Sequence, residues 1–111
     1  MDTNEINTKS EKFFSPLGHE IILLEESWTK HIVKYHEDLI SKKEEIKNII
    51  ENPEFISFFK KTNSFNCVKG NLMVSYFLTS KNVGYIKTMF EITKSYKDKL
   101  KKVIIWRKVL K

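Results

Sequence analysis

The chain has little of several residue types that carry common chemistries. Among its 111 residues there are one cysteine, one arginine, three glycines and two prolines, and neither alanine nor glutamine occurs. Cys67 cannot form an internal disulfide, which fits a reducing compartment, and without a charged neighbour we interpret it as a small buried residue. The glycines never cluster, which excludes a glycine-rich phosphate-binding loop. No apolar run is long enough to span a membrane.

Acidic residues are scarce in one half of the chain. Residues 1–54 hold 12 acidic and 7 basic side chains, whereas residues 55–111 hold 2 acidic and 13 basic ones. Because 19 of the 20 basic residues are lysine, as is common in proteins of AT-rich genomes, the abundance of lysine by itself indicates little. Genome composition does not explain why acidic residues are so few in the second half. This scarcity predicts a polyanionic partner for that half.

Hydrophobic residues make up 41% of the chain and aromatic residues 13%, which is typical of a globular protein. We expect a flexible polar leader over residues 1–12 and one domain over residues 13–111. The segments "KFFSPLG" and "HEIILLEES" predict short strands joined by a turn. Ser27 can cap a helix that runs from Trp28 to about residue 40. Ser41 and "KKEEIKNIIEN" predict a second helix or a bent continuation of the first, which Asn52-Pro53 ends.

The second half has the composition of strands. "EFISFFKK", "SFNCVKG", "LMVSYFLTS" and "YIKTMFEIT" are joined by the turn sequences "KTNS", "KGN" and "KNVG", then "SYKDKLKK" predicts a charged connection and "VIIWRKVL" a last strand. Strict alternation would place Lys87 and Thr88 on opposite faces of their strand, with Tyr85, Met89 and Glu91 on the side of Lys87. The fold class predicted is α+β, with short strands and helices packed on one face of a C-terminal antiparallel sheet.

The two histidines of "WTKHIVKYH" lie at the margins of an apolar helical stripe formed by Trp28, Ile32, Tyr35 and Leu39. His31 and His36 are five residues apart, whereas a helical metal pair needs a spacing of three or four, and no ligand set lies nearby. The sequence therefore predicts neither a metal nor a cofactor. Two interpretations stay open: the histidines are structural boundary residues, or they exchange protons during phosphodiester cleavage, since the histidine pKa lies near neutrality.

The order of motifs resembles a known nuclease family. "W-x-x-H-I-x-x-x-H" (residues 28–36), "I-x-x-I-I-x-x-P-x-x-I" (residues 46–56), the hairpin "LMVSYF" with "GYIKTMFEI", and Trp106 near the end are similar to the phage-associated Barnase–EndoU–colicin–RelE-like (PBECR) nuclease domains. The resemblance covers residues 17 to 107 approximately. It implies a helical layer on a central antiparallel sheet, and a small metal-independent ribonuclease-like toxin or phage-linked effector.

The resemblance also implies roles for particular residues. His31 and His36 would be catalytic, together with Thr88 and Lys87. Thr88 and Lys87 can reach the same phosphate only if their strand is twisted or bulged. We assign substrate binding to three further side chains of the basic half, which are Tyr85, Lys69 and Arg107. The expected location is the cytoplasm, for a bacterial or phage-encoded protein that can also be delivered as an effector.

The expected partner is RNA, with transfer RNA among the candidate targets, and an acidic antitoxin or immunity protein is a second expected partner; no membrane partner is expected. Catalysis would proceed by attack of the ribose 2′-OH on the adjacent phosphorus. The alternative is a non-catalytic basic domain that binds RNA or an acidic protein, with structural histidines. Salt-sensitive binding without cleavage would distinguish this alternative.

Overall fold

The computed structural model describes residues 10–24 and 44–109. The helix predicted from Trp28 to about residue 40, with His31 and His36, lies outside these ranges. The described elements, in chain order, are β1 (Ser10–Phe14), β2 (Glu20–Leu24), α1 (Glu45–Glu51), β3 (Phe55–Phe59), β4 (Ser64–Lys69), β5 (Leu72–Leu78), β6 (Val83–Glu91), α2 (Lys94–Leu100), a 3₁₀ turn (Lys101–Val103) and β7 (Ile104–Arg107).

In the described part of the chain, the strands form one seven-stranded sheet in the order β1-β2-β6-β5-β4-β3-β7. The predicted antiparallel succession from β3 to β6 is confirmed, and the turn at Gly70 adopts the positive φ of 63° that glycine tolerates. Two pairings were not predicted. β2 runs parallel to β6, and β7 returns to pair with β3. The mixed α+β architecture is therefore confirmed.

One sheet face carries the larger core and α1. The isoleucines of α1 are fully buried because their spacing places all three on one side of the helix: Ile46, Ile49 and Ile50. They pack with Ile21 and Val74 among other apolar side chains of this face. The predicted helical segment is confirmed over Glu45–Glu51, and so is its end at Asn52-Pro53, whereas residues 41–43 lie outside the described ranges.

The opposite sheet face carries α2, which corrects two expectations. The segment "SYKDKLKK" was predicted to be a charged connection, and the helices were expected on one face only. Instead Thr93 caps a helix by accepting a 3.2 Å hydrogen bond from the Tyr96 amide, and Leu100 is buried against Val68 and Met73. The segment was not recognised as a helix because it has too few apolar residues to show a helical period, and most of its lysines face solvent.

The alternation predicted for β6 is wrong at one point, where the strand contains a β-bulge. Ser75 pairs with Thr88, whereas the next residue of β5, Tyr76, pairs with Ile86, so that Lys87 is the extra residue. The bulge keeps Ile86 and Met89, three residues apart, in the same core. Without it, strict alternation would send one of these two apolar side chains to the other face.

Gly84 allows β6 to approach β5 closely. A Cβ atom at this position would overlap the carbonyl oxygen of Phe77, and Gly84 is also paired with Ile21 of β2 on its other side. The backbone of β5 therefore leaves no room for a side chain, and it is held in place by its sheet pairing.

We predict that Gly84→Ala lowers the free energy of unfolding by about 2 kcal/mol or more, because overpacking here displaces backbone and not a flexible side chain. Urea denaturation measures the effect. The matched control is Gly70→Asn, whose site has open space and a backbone conformation that asparagine tolerates, and which should cost less than about 1 kcal/mol. Equal stabilities of the two variants would contradict this packing.

Candidate functional site

A cavity of about 170 Å³ opens on the α2 face of the sheet, between the β6 bulge and α2. We call it the polar pocket. Its lining combines apolar and aromatic side chains with hydroxyl, amide and ammonium groups. The lining residues are Phe59, Thr62, Ser64, Asn66, Met73, Ser75, Lys87, Thr88, Phe90 and Tyr96.

A row of polar residues crosses four strands of the sheet, and three of its four members line the polar pocket. By register, Ser57, Asn66, Ser75 and Thr88 are neighbours on β3, β4, β5 and β6. The Ser75 hydroxyl donates to Asn66 Oδ1 at 2.6 Å, and Asn66 Nδ2 donates to Ser57 Oγ at 3.2 Å. Burial of polar groups is costly unless they are hydrogen-bonded, and this chain of bonds fixes the orientation of the buried amide.

The bulge brings Lys87 and Thr88 to the same cavity. Lys87 Nζ donates to Ser64 Oγ at 3.1 Å, and the Thr62 and Ser64 hydroxyls are 2.9 Å apart. An ammonium has three donors, so the hydrogen bond to Ser64 leaves two for a ligand. None of the lining residues is acidic. The polar pocket therefore combines one positive charge with several hydroxyls, an arrangement that suits an anion such as a phosphoryl group.

Tyr85 lies on the same face of β6 as Lys87, two residues earlier in the strand. Its ring is half-buried and stands 6.3 Å from the ring of Phe77, with 30° between the planes. It does not line the polar pocket but lies along the same strand beside it. The predicted binding residue is thus adjacent to Lys87 and Thr88, where it presents an aromatic surface.

Lys69 and Arg107, the other two predicted binding residues, meet in a different cavity. This basic cleft, of about 420 Å³, lies where β3 begins and β4 and β7 end. It shares no lining residue with the polar pocket. Its lining comprises Asn52, Glu54, Phe55, Lys69, Lys101, Arg107 and Lys108.

Glu54, the one acidic residue that lines the basic cleft, forms an ion pair with Lys97, which lies outside the lining. Lys97 Nζ is 3.0 Å from Glu54 Oε1 and donates to the Gly70 carbonyl at 2.8 Å. Burial disfavours ionisation of Glu54, but the hydrogen bond and the charge of Lys97 outweigh it and hold the pKa of Glu54 below its ordinary value. Glu54 is therefore ionised but engaged, and the four lining cations keep their excess charge.

His19 is a candidate proton-transfer residue that the sequence did not single out. Its Nδ1 is 2.8 Å from Tyr76 Oη, and the Tyr76 hydroxyl donates to Ser15 Oγ at 3.2 Å. With the Tyr76 proton in its hydrogen bond to Ser15, Nδ1–H donates to Tyr76 Oη and Nε2 is the basic nitrogen. Burial lowers the pKa of His19 and favours the neutral ring. No spacing signal was available because Tyr76 is 57 residues away in sequence.

This hydrogen-bonded group lies on the α1 face, so the sheet separates it from the polar pocket. The ring of Phe65 stacks on Tyr76 at 5.0 Å and meets the edge of His19 at 5.1 Å. Burial also raises the pKa of Tyr76, which keeps the phenol protonated. The arrangement ties the β1–β2 turn to the centre of the sheet.

The described ranges offer little support for cysteine-based catalysis or metal binding. Cys67 is fully buried, and burial raises the pKa of its thiol, so this residue is packed as the sequence predicted and is unsuited to nucleophilic attack. Within residues 10–24 and 44–109, no group of three or more His, Cys, Asp or Glu side chains is placed to hold a metal ion. The helices of the same ranges include none with the length and hydropathy needed to cross a membrane.

Comparisons of the chain with protein-family models, with curated proteins and with solved structures found no match.

We predict a stability loss on acidification that depends on His19. Its pKa in the folded state is below the ordinary 6.5, so the unfolded chain binds the proton more readily, and stability falls as the pH drops through this value. The test compares urea denaturation at about pH 7.5 and about pH 5 for the wild type and for His19→Asn, whose amide can donate to Tyr76 without titrating. The wild type should lose more stability than the variant. Equal losses would contradict the assignment.

Proposed function

We propose that this protein is a metal-independent endoribonuclease that binds the scissile phosphate in the polar pocket. The observation that carries the proposal is the β6 bulge, which places Lys87 and Thr88 on one face and in one cavity. This is the condition under which both residues can reach one phosphate. The excess of basic over acidic residues in the second half of the chain adds support, since it favours a polyanionic substrate.

The polar pocket offers the interactions that the transition state of phosphoryl transfer requires. Charge accumulates on the non-bridging oxygens as a fifth oxygen approaches phosphorus, and preorganised donors stabilise that charge. Lys87 supplies an ammonium, and Thr88 supplies a hydroxyl beside it. Ser64 holds the ammonium at 3.1 Å, so its position is set before substrate binds.

In the proposed reaction, one histidine removes the proton of the ribose 2′-OH, and the resulting oxygen attacks the adjacent phosphorus. The new O2′–P bond forms as the P–O5′ bond breaks, and a protonated histidine gives its proton to the departing O5′. The products are a 2′,3′-cyclic phosphate and a 5′-hydroxyl. The resemblance to the PBECR domains implies His31 and His36 for these proton transfers, and a pKa near neutrality suits both roles.

A second function is favoured by the basic cleft. Its four cations can hold RNA through phosphate contacts alone, and no histidine lines it. In this alternative the chain binds RNA, or an acidic protein, without cleaving it. An acidic antitoxin that covers the basic surface is compatible with either function, and production of the protein should then require the antitoxin only if the chain is a nuclease.

We predict that Lys87→Met reduces kcat for RNA cleavage by about 100-fold, because one preorganised donor to the developing charge is lost. Cleavage of a single-stranded RNA is followed in the presence of a chelator, with product ends analysed for the cyclic phosphate. The matched control is Lys99→Met, a solvent-exposed lysine of α2 that lines neither cavity, and it should change kcat by less than about twofold.

His31→Ala provides the companion measurement, with an expected loss of at least about 100-fold. If the folded variant loses less than about threefold, the histidine assignment is contradicted. If wild-type protein binds RNA but yields no cyclic phosphate, the nuclease proposal is wrong and the binding function replaces it.

A further inference from the structure

The basic cleft is built from the ends of several strands at one edge of the sheet. Phe55 pairs with Val68 of β4 and with Arg107 of β7, so the start of β3 lies beside the last residues of both neighbours. The Lys108 amide donates to the Glu54 carbonyl at 3.0 Å, which fixes the chain after β7 against the start of β3. Lys69, Arg107 and Lys108 are therefore held by paired backbone, and Lys101 begins the 3₁₀ turn beside them.

The positive charge of the basic cleft exceeds its negative charge, because Glu54 is the one acidic residue of the lining and is paired with Lys97. The ion pairs of the described ranges join Lys12 to Glu20, Lys94 to Asp98 and Lys97 to Glu54, and the charge of Lys101 also acts on Glu54. Lys69 is held by neutral acceptors, since its Nζ is 3.1 Å from the Asn52 carbonyl and 3.4 Å from Asn48 Oδ1. Its position is thus fixed while its charge stays available.

A second groove adjoins the cleft. Lys101 also lines this groove of about 350 Å³ next to the β4–β5 turn, where Lys94 is paired with Asp98 and Lys97 with Glu54. A single phosphate would be satisfied by two or three cations, whereas the four cations that line the cleft match a polyanion with more than one phosphate. Lysine ammonium groups act as point charges, which suits contacts with successive phosphates irrespective of sequence.

We propose that the basic cleft is a second phosphate-binding surface, which holds the backbone of single-stranded RNA at a distance from the scissile phosphate. Arg107 would contact a phosphate with its two-pronged guanidinium, and Lys69, Lys101 and Lys108 would contact the same or neighbouring phosphates. The choice of RNA rests on the proposed function. Binding at the cleft involves no cleavage chemistry, so it can be tested separately.

The sheet geometry sets a length requirement for the RNA. Thr88 in the polar pocket and Arg107 in the basic cleft are separated by four strand spacings and about two residues along the strands, which corresponds to about 20 Å between their Cα atoms. The helix α2 packs on the sheet between them. A substrate with one phosphate can occupy the polar pocket only, whereas a longer strand can engage both sites.

The test measures binding of a fluorescein-labelled, single-stranded 2′-O-methyl RNA of about twelve nucleotides, which cannot undergo 2′-OH attack. Fluorescence anisotropy at several salt concentrations gives Kd and its salt dependence. The variant Lys101→Gln/Arg107→Gln should raise Kd at least about tenfold at low salt and reduce the slope of log K against log salt by about 1.4, or 0.7 for each lost phosphate contact. Both residues are exposed, and thermal unfolding checks that the fold is retained.

The matched control is Lys47→Gln/Lys99→Gln, which removes the same charge from exposed positions of α1 and α2 outside both cavities. It should change Kd by less than about twofold. Equal effects of the two double variants on Kd and slope would overturn the proposal. Loss of poly-L-glutamate binding with unchanged RNA binding would also overturn it and would assign the cleft to an acidic protein.

Cleavage assays separate this proposal from the nuclease proposal. In Lys101→Gln/Arg107→Gln, KM for an unmodified RNA of about twelve nucleotides should rise while kcat stays constant, and cleavage of a dinucleotide should not change. A fall in kcat for the dinucleotide would place the cleft residues in the catalytic machinery and contradict a separate binding role. If wild-type protein cleaves no RNA but the variant still loses RNA binding, the nuclease proposal fails and the cleft proposal stands.

Discussion

The pairing of β5 with β6 around the extra residue Lys87 is the constraint on which the rest of the described structure depends. Tyr76 must face the α1 side to reach His19 and Phe65, and Ile86 and Met89 must face the same core. The spacing of these two core residues cannot be met by regular alternation, and the bulge resolves the conflict at a modest cost in regularity. The displaced residue is a lysine, which delivers a charge to the opposite face.

That opposite face carries features that a purely structural sheet would not need. A central row of Ser57, Asn66 and Ser75 is buried where β-branched apolar residues would pack more simply, and each hydrogen bond in the row must be kept satisfied. Beside it, α2 covers the apolar rows and leaves the polar pocket on one side and the basic cleft on the other. The polar pocket and the basic cleft thus lie on either side of α2 and share no lining residue.

Residues close together in sequence predicted the helix end and the turns, whereas the pairing of strands far apart in sequence could not be predicted. The isoleucines of α1, the Asn52-Pro53 stop and the turn at Gly70 each depend on neighbours in sequence, and these predictions are confirmed. The parallel β2–β6 pair and the return of β7 to β3 depend on contacts far apart in sequence, which determine that Lys69 meets Arg107 and not Lys87. The bulge could not be predicted from "YIKTMF", because the order of apolar and polar residues in this segment also fits a regular strand without a bulge. The roles of His31 and His36 stay predictions from the sequence.

The central claim, that Lys87 is an inserted bulge residue which serves the polar pocket, is tested most directly by deleting it and measuring the free energy of unfolding in urea. In a regular strand, removal of one residue sends every following side chain to the wrong face. Here the deletion should restore regular alternation from Ile86 through Thr88 to Met89, so the account predicts a folded protein within about 1 kcal/mol of the wild type. A loss of more than about 3 kcal/mol, or failure to fold, would contradict the account.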